Sequence, residues 1–254
     1  MNDLYFCGDI HGEYKKLVWT LCIEKRIKDA SIIILGDFGV GFTKDLDILY
    51  KKSEQKLEKN NITLYTIRGN HDDPKYFEDL SKDYPRLKFL QDHKIYNICD
   101  RLIYTIGGAH STDANTNPEC TTISDRKLEN ERRLRKGKMP IWWENECVEK
   151  KYNDLPRRVD IIISHTAPIS FEPVAIKTSE ISTNQFEKII EERKYLQHIL
   201  YEIRADYWFY GHFHRSYTGT FNQLLYRCLK EFELFSAPEK KELSPQGELK
   251  NENN

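Results

Sequence analysis

Tyr207-Trp208-Phe209-Tyr210-Gly211-His212-Phe213-His214 is the stretch around which the chain is organised. Its four aromatic residues in a row read as a strand. Gly211 lets the backbone turn out of that strand. If the next residues stay extended, His212 and His214 point to the same side. If they form a tight loop, both imidazoles crowd one small volume. Two imidazoles this close are either a chance surface pair or half of a metal site.

Working outward, the pattern of strand followed by polar loop recurs. Leu4-Tyr5-Phe6-Cys7 runs into Gly8-Asp9-Ile10-His11-Gly12, and a helix is predicted from about Glu13 to Arg26. Ser31-Ile32-Ile33-Ile34-Leu35 is a continuous apolar run, as expected of a strand covered on both faces. It ends in Gly36-Asp37-Phe38-Gly39, and a helix is predicted from about Lys44 to Asn60. Ile62-Thr63-Leu64-Tyr65-Thr66-Ile67 ends in Arg68-Gly69-Asn70-His71-Asp72. A short helix is predicted after Pro74. Leu87–Leu90, Ile95–Ile98 and Leu102–Ile106 read as three closely spaced antiparallel strands. Val159-Asp160-Ile161-Ile162-Ile163 ends in Ser164-His165. A helix is predicted over Gln185–Arg204, and two or three closing strands over 216–235. Open α/β sheets bind ligands at the carboxyl ends of their strands. Turn-forming alone accounts for one polar loop. It accounts poorly for a metal-competent side chain in each of them.

The 254 residues carry 39 Lys and Arg against 40 Asp and Glu, a net charge of −1. That argues against a partner held by bulk electrostatics, such as non-specific duplex DNA. The six cysteines (Cys7, Cys22, Cys99, Cys120, Cys147, Cys228) show no C-x-x-C spacing and read as reduced thiols. Asp3 and Asp9 interrupt the only early apolar run, so no signal peptide is expected. No run approaches the roughly 20 apolar residues of a membrane span. A soluble, cytoplasmic protein is expected, as one domain over 1–235. Within it, 112–157 is a polar elaboration over the strand ends. From Ser236 on, little can be buried, and a disordered tail is expected.

The polar residues that follow strands are Asp9, His11, Asp37, Asn70, His71, His165, His212 and His214. Carboxylate, amide and imidazole donors suit Mn²⁺, Fe or Zn²⁺, and the absence of thiolate argues against a structural zinc site. Two cations about 3.5–4 Å apart need a bridging ligand, which a carboxylate supplies well. The scattered His93, His110 and His198 read as structural or solvated. His110 also follows a strand and a glycine pair.

Gly8-Asp9-Ile10-His11-Gly12, Gly36-Asp37, Gly69-Asn70-His71-Asp72, Ser164-His165 and Gly211-His212-Phe213-His214 together resemble the signature of the calcineurin-like metallophosphoesterases. Five blocks in order over residues 8–214 are far more specific than any one of them. The resemblance implies an α/β fold: a four-layer α/β/β/α sandwich of two mixed sheets flanked by helices. It implies two divalent metal ions, with Asp9, His11 and His214 on the first, Asn70, His165 and His212 on the second, and Asp37 bridging. It places His71 beside the phosphate as general acid or transition-state stabiliser, with Asp72 orienting its ring. It implies hydrolysis of phosphate esters by in-line attack of a metal-bridging hydroxide. A nuclease or a cyclic-nucleotide phosphodiesterase is the rival enzyme, and a catalytically silent metal-bound scaffold is the rival of another class.

Asp37 is followed by Phe38-Gly39-Val40-Gly41, where the protein-phosphatase branch of that family has Val-Asp-Arg-Gly; that arginine is absent, so a protein phosphatase is not favoured. In the elaboration, Arg126, Arg132 or Arg133 offer bidentate contacts to phosphate, and Trp142 and Trp143 offer stacking surfaces for a base. A nucleotide or nucleic acid could engage the 126–143 region. The competing reading is that the tryptophans pack the elaboration down and the basic run is a solvated face.

Overall fold

The computed structural model describes residues 2–42, 46–78, 83–111, 123–138, 140, 142–171 and 183–240. Two mixed sheets stack face to face. The first runs β11 (Leu234–Ser236), β1 (Asp3–Cys7), β2 (Ala30–Ile34), β3 (Ile62–Thr66), β4 (Leu87–Phe89). The second runs β5 (Ile95–Ile98), β6 (Arg101–Ile106), β7 (Ile161–Ser164), β8 (Tyr207–Tyr210), β10 (Leu224–Cys228), β9 (Tyr217–Phe221). Each sheet has a parallel centre: β1 to β4 in one, and β6, β7, β8 and β10 in the other. Antiparallel strands lie at their edges.

Three buried clusters mark the three interfaces of a four-layer sandwich. Helices α1 (Tyr14–Trp19) and α2 (Leu46–Lys59) set Leu17, Tyr50 and Leu57 on Ile32, Ile34 and Leu64 of the first sheet. Helix α5 (Thr183–Glu202) sets Leu196, Ile199 and Leu200 on Ile162, Trp208 and Tyr210 of the second. Between the sheets, Phe6, Ile33, Leu35 and Ile67 meet Ile103, Ile161, Ile163 and Phe209. Strand alternation explains the sorting. On β2, Ile32 and Ile34 face the helices and Ile33 faces the other sheet, because successive side chains leave opposite faces. Phe6 and Phe209 stack across the seam at 4.2 Å between ring centroids. Each side chain buried this fully contributes about 2 kcal/mol.

The parallel strands carry the polar loops at their carboxyl ends, so one edge of the sandwich collects them all. The loops are stitched together by main-chain bonds. Ile10 and His11 both donate N–H to the Asp37 carbonyl, and Gly12 donates to that of Phe38.

Local differences from the sequence reading have simple causes. The first helix is α-helical only to Trp19 and continues as a π-helical turn over Thr20–Glu24. The expected three-stranded antiparallel group is split. β4 extends the first sheet in parallel, whereas β5 and β6 form a hairpin in the second. Strand periodicity says which residues are buried but not which sheet receives them. The basic run in the elaboration is a helix, α4 (Ile123–Arg135), following α3 (Lys75–Glu78) in chain order. Residues 112–122 lie outside the described ones. The chain also stays attached past 235. Ser236 closes β11, Ala237 N–H donates to the Leu4 carbonyl, and Lys240 pairs with Asp160 at 3.3 Å. The expected tail falls, from 241 on, outside the described residues. Among the described residues, no helix is long and apolar enough to cross a membrane.

Candidate metal centre

Asp9 and His11 follow β1, Asp37 follows β2, Asn70, His71 and Asp72 follow β3, His165 follows β7, and His212 and His214 follow β8. The structure brings these nine residues to one place. His11 Nε2 and His214 Nε2 stand 3.0 Å apart, and His214 Nε2 is 3.1 Å from Asp9 Oδ2. Asp9, His11, Asp37 and His214 each offer one ligand atom within 4.8 Å of the others. Beside them, His165 Nε2 lies 3.0 Å from Asn70 Oδ1 and 3.2 Å from Asp37 Oδ1, and the His212 ring sits 5.0 Å from that of His165.

Asp37 stands between the two groups. Its Oδ2 faces His11 Nδ1 at 3.8 Å, and its Oδ1 faces His165. The same Oδ1 accepts the His71 main-chain N–H at 2.8 Å. The two imidazoles of the 212–214 loop are thereby separated, one to each side.

The backbone holds these side chains under strain. His11, Asp37, His212 and His214 all have positive φ, at 45°, 49°, 67° and 49°. Non-glycine residues rarely adopt that region, and such strain collects at functional sites. Two glycines are set by close approach. A Cβ on Gly69 would lie 2.1 Å from Asp37 Oδ1, and one on Gly211 would lie 2.2 Å from Asp9 Oδ1.

Charge follows from the geometry. Burial alone would raise the Asp37 carboxyl, but His165, His71 and His11 outweigh it and hold it well below the usual carboxylate range. Burial likewise disfavours a charged His165. The Asp37 carboxylate, then Asp9 and the Leu35 carbonyl, reverse this and raise its pKa to about 9. His212 is lowered to about 3, by burial first and by the charge of His165 second. Without a cation, one carboxylate holds a protonated ring and a neighbouring ring stays neutral. The donors present fit divalent metal ions: buried carboxylates, an amide oxygen and imidazole nitrogens converge on the same small volumes.

Asp72 does something the sequence reading did not anticipate. Its carboxylate was expected on the His71 ring. Its oxygens accept the main-chain N–H groups of Phe38, Gly39, Val40 and Gly69, at 2.6 to 3.2 Å. It ties the Asp37 loop to the Asn70 loop. The His71 ring is flanked by those of His11 and Phe42, each at 5.4 Å.

The residues singled out for substrate are placed less openly. Arg126 and Trp142 are both buried, with the guanidinium 5.5 Å from the ring. Trp143 meets Phe42 edge-on at 5.7 Å, and Phe42 in turn meets His71. Arg132 is exposed and Arg133 half-buried on α4. His93 hydrogen-bonds Tyr104 and the Glu149 carbonyl, a structural role. His110 lies apart from the centre, in a second group of ligand-type side chains with Glu146 and Cys147.

Sequence reasoning missed Glu231. Its carboxylate lies 3.7 Å from His11 Nε2 and 3.6 Å from His214 Nδ1. It follows β10 as the others follow their strands, which was a usable signal. Phe42, Ser111 and Glu146 carried none, since each acts through a contact distant in sequence.

A family model described as calcineurin-like phosphoesterase matches residues 3–216. The chain belongs to that family. Calcineurin-like phosphoesterases are metal-dependent enzymes acting on phosphate esters, and the two mixed sheets with flanking helices are their fold. No curated protein sequence matches this phosphoesterase. Among solved structures, the phosphopantetheinyl hydrolase of Mycobacterium tuberculosis is similar at 11% identity and a TM-score of 0.45, covering 96% of this chain and 99% of that one. The TT1561 protein of Thermus thermophilus gives 11%, 0.44, and coverage of 93% and 99%. A putative 5'-nucleotidase from Staphylococcus aureus gives 16% and 0.39, covering 90% of this chain and 48% of its own. None of these likenesses bears on substrate or chemistry.

Proposed function

We propose that this calcineurin-like phosphoesterase is a two-metal hydrolase of phosphate esters. The observation that carries this reading is Asp37, whose two oxygens face two separate groups of donors. Asp9, His11 and His214 would hold one divalent ion, Asn70, His165 and His212 the other, and Asp37 would serve both. Bound cations supply Lewis acidity: they draw charge from a phosphate ester and make water acidic enough to attack it. Oxygen and imidazole donors without thiolate suit manganese, iron and zinc, and manganese is the one we favour.

His71 is the candidate proton donor to the leaving oxygen. Its main chain is fixed on Asp37 and its ring is wedged between His11 and Phe42, so the imidazole is held beside the centre. Asp72 holds both loops in register through main-chain donors. The 126–143 region supports a nucleotide contact less well, because Arg126 and Trp142 are buried on each other. The described cysteines are free thiols, which fits a reducing, cytoplasmic setting.

The test is turnover of p-nitrophenyl phosphate and bis(p-nitrophenyl) phosphate by metal-stripped protein, with and without Mn²⁺. Metal-dependent cleavage of either is expected. Two bound ions with no cleavage of either would favour a scaffold instead.

A further inference from the structure

A chain of buried polar groups runs from Asn70 into the elaboration. Asn70 Nδ2 donates to Ser111 Oγ at 3.0 Å. Ser111 Oγ donates to Glu146 Oε2 at 2.7 Å, and Ser111 N–H to Glu146 Oε1 at 3.0 Å. Asn70, Ser111 and Glu146 are 3%, 1% and 1% exposed, so water does not substitute for these partners.

The direction of the chain follows from counting hydrogens. A hydroxyl has one hydrogen. An ionised Glu146 has none to give and takes the one on Ser111. Towards Asn70, the Ser111 oxygen is then an acceptor only, and only an NH₂ group can face it. The other end of the amide, Oδ1, is left pointing at His165 Nε2 and the centre. An amide NH₂ in that place would offer a cation no lone pair.

We propose that Glu146 is a positioning residue which, through Ser111, fixes the Asn70 amide with its oxygen toward the metal centre. The assignment rests on the two-metal reading of that centre. It gives the elaboration a task that neither its basic run nor its tryptophans suggested.

The main chain around Glu146 is built to hold such a position. The Arg68 guanidinium donates to the carbonyls of Asn145, Glu146 and Cys147 at 2.7, 2.8 and 3.0 Å. Asp92 holds the same guanidinium at 2.8 Å. Arg68 lies two residues before Asn70, so one loop presents the amide and clamps the segment that orients it. Burial raises the Glu146 carboxyl to about 7, against the pull of Ser111 and Arg126. Measurement at pH 8 keeps it ionised.

The experiment is calorimetric titration of metal-free full-length protein with Mn²⁺ at pH 8, on wild type, Glu146→Gln, Asn70→Asp and the double variant. In Glu146→Gln the Ser111 N–H claims the one amide oxygen, the new NH₂ faces Ser111 Oγ, and the hydroxyl hydrogen swings to Asn70. That hydrogen favours the Asn70 amide turned around, and the oxygen-to-metal orientation is no longer enforced. One of the two Mn²⁺ sites should weaken by about 10- to 100-fold, as for other outer partners of a ligand. Asn70→Asp has an oxygen at both ends and needs a hydrogen from Ser111, which Glu146→Gln releases. Adding Glu146→Gln to Asn70→Asp should therefore strengthen binding. This reversal of sign separates positioning from mere structural support. Ser111→Ala offers a second route and should weaken the same site. Equal weakening by Glu146→Gln in both backgrounds, or unchanged affinity in the wild-type background, would overturn the assignment while leaving the two-metal reading standing. Uptake of fewer than two Mn²⁺ by wild type would remove that reading and the assignment with it.

Discussion

His11 and His214 meet nitrogen to nitrogen, Nε2 to Nε2, at 3.0 Å, although 203 residues separate them. Two imidazole nitrogens this close share either a hydrogen or a cation. Asp9 stands against the same nitrogen of His214 at 3.1 Å, which favours positive charge at that point. That bond to Asp9 raises the His214 pKa and prevails over burial, which opposes the charged form.

Asp37→Asn should be the most damaging conservative change in the chain. It keeps the shape but removes the charge between the two donor groups. Activity with Mn²⁺ should fall by more than about 10³-fold, comparable to or beyond the loss of a key electrostatic group in other active sites. Steady-state rates on the aryl phosphates measure it, and near-normal turnover would sink the assignment of Asp37.

His71→Ala should separate chemistry from metal binding. The main-chain N–H that Asp37 accepts survives the substitution, so the loop stays in place. Turnover should fall by about 10²- to 10⁴-fold, the usual worth of a positioned general acid. Metal analysis should still find both ions. Loss of an ion would make His71 a ligand.

Gly211→Ala and Gly69→Ala should disturb the centre without removing any ligand atom. The added methyl would press on Asp9 in the first and on Asp37 in the second. The first should deplete one ion and the second both. Metal-to-protein ratios after equilibration with Mn²⁺ distinguish these results from a general loss of fold, which circular dichroism would report.

The metal-free protein should have a pH-dependent stability set by His165. Its folded pKa is raised to about 9, whereas an unfolded imidazole titrates at about 6.5. The stabilisation is complete below the unfolded value and is lost as pH rises through about 9. Melting temperatures in chelator should therefore decline from about pH 6.5 to 9.5, and His165→Asn should flatten the decline. A slope as steep in the variant as in wild type would show that another group causes it.

The fold could be read from sequence where strands are continuous apolar runs. Ile32–Ile34 and Ile161–Ile163 are buried on both faces and look it. The junction between β4 and β5 could not be read so, because the chain changes sheets there with no change in periodicity. The centre was legible because its side chains sit just beyond strand ends in short glycine-bearing loops. Asp72 and Glu146 were not, since what they do depends on partners from other elements: the main chain of Phe38–Val40 for one, Ser111 for the other. The tryptophan pair looked like a binding surface, yet Trp142 is buried against Arg126. Composition does not distinguish an aromatic that packs a helix down from one that meets a ligand.

The two-metal reading stands or falls on where the ions bind. Crystals equilibrated with Mn²⁺ and measured for anomalous scattering should show two peaks with Asp37 between them. Asp9, His11 and His214 should surround one, and Asn70, His165 and His212 the other. A single peak, or both His212 and His214 on the same ion, would contradict it.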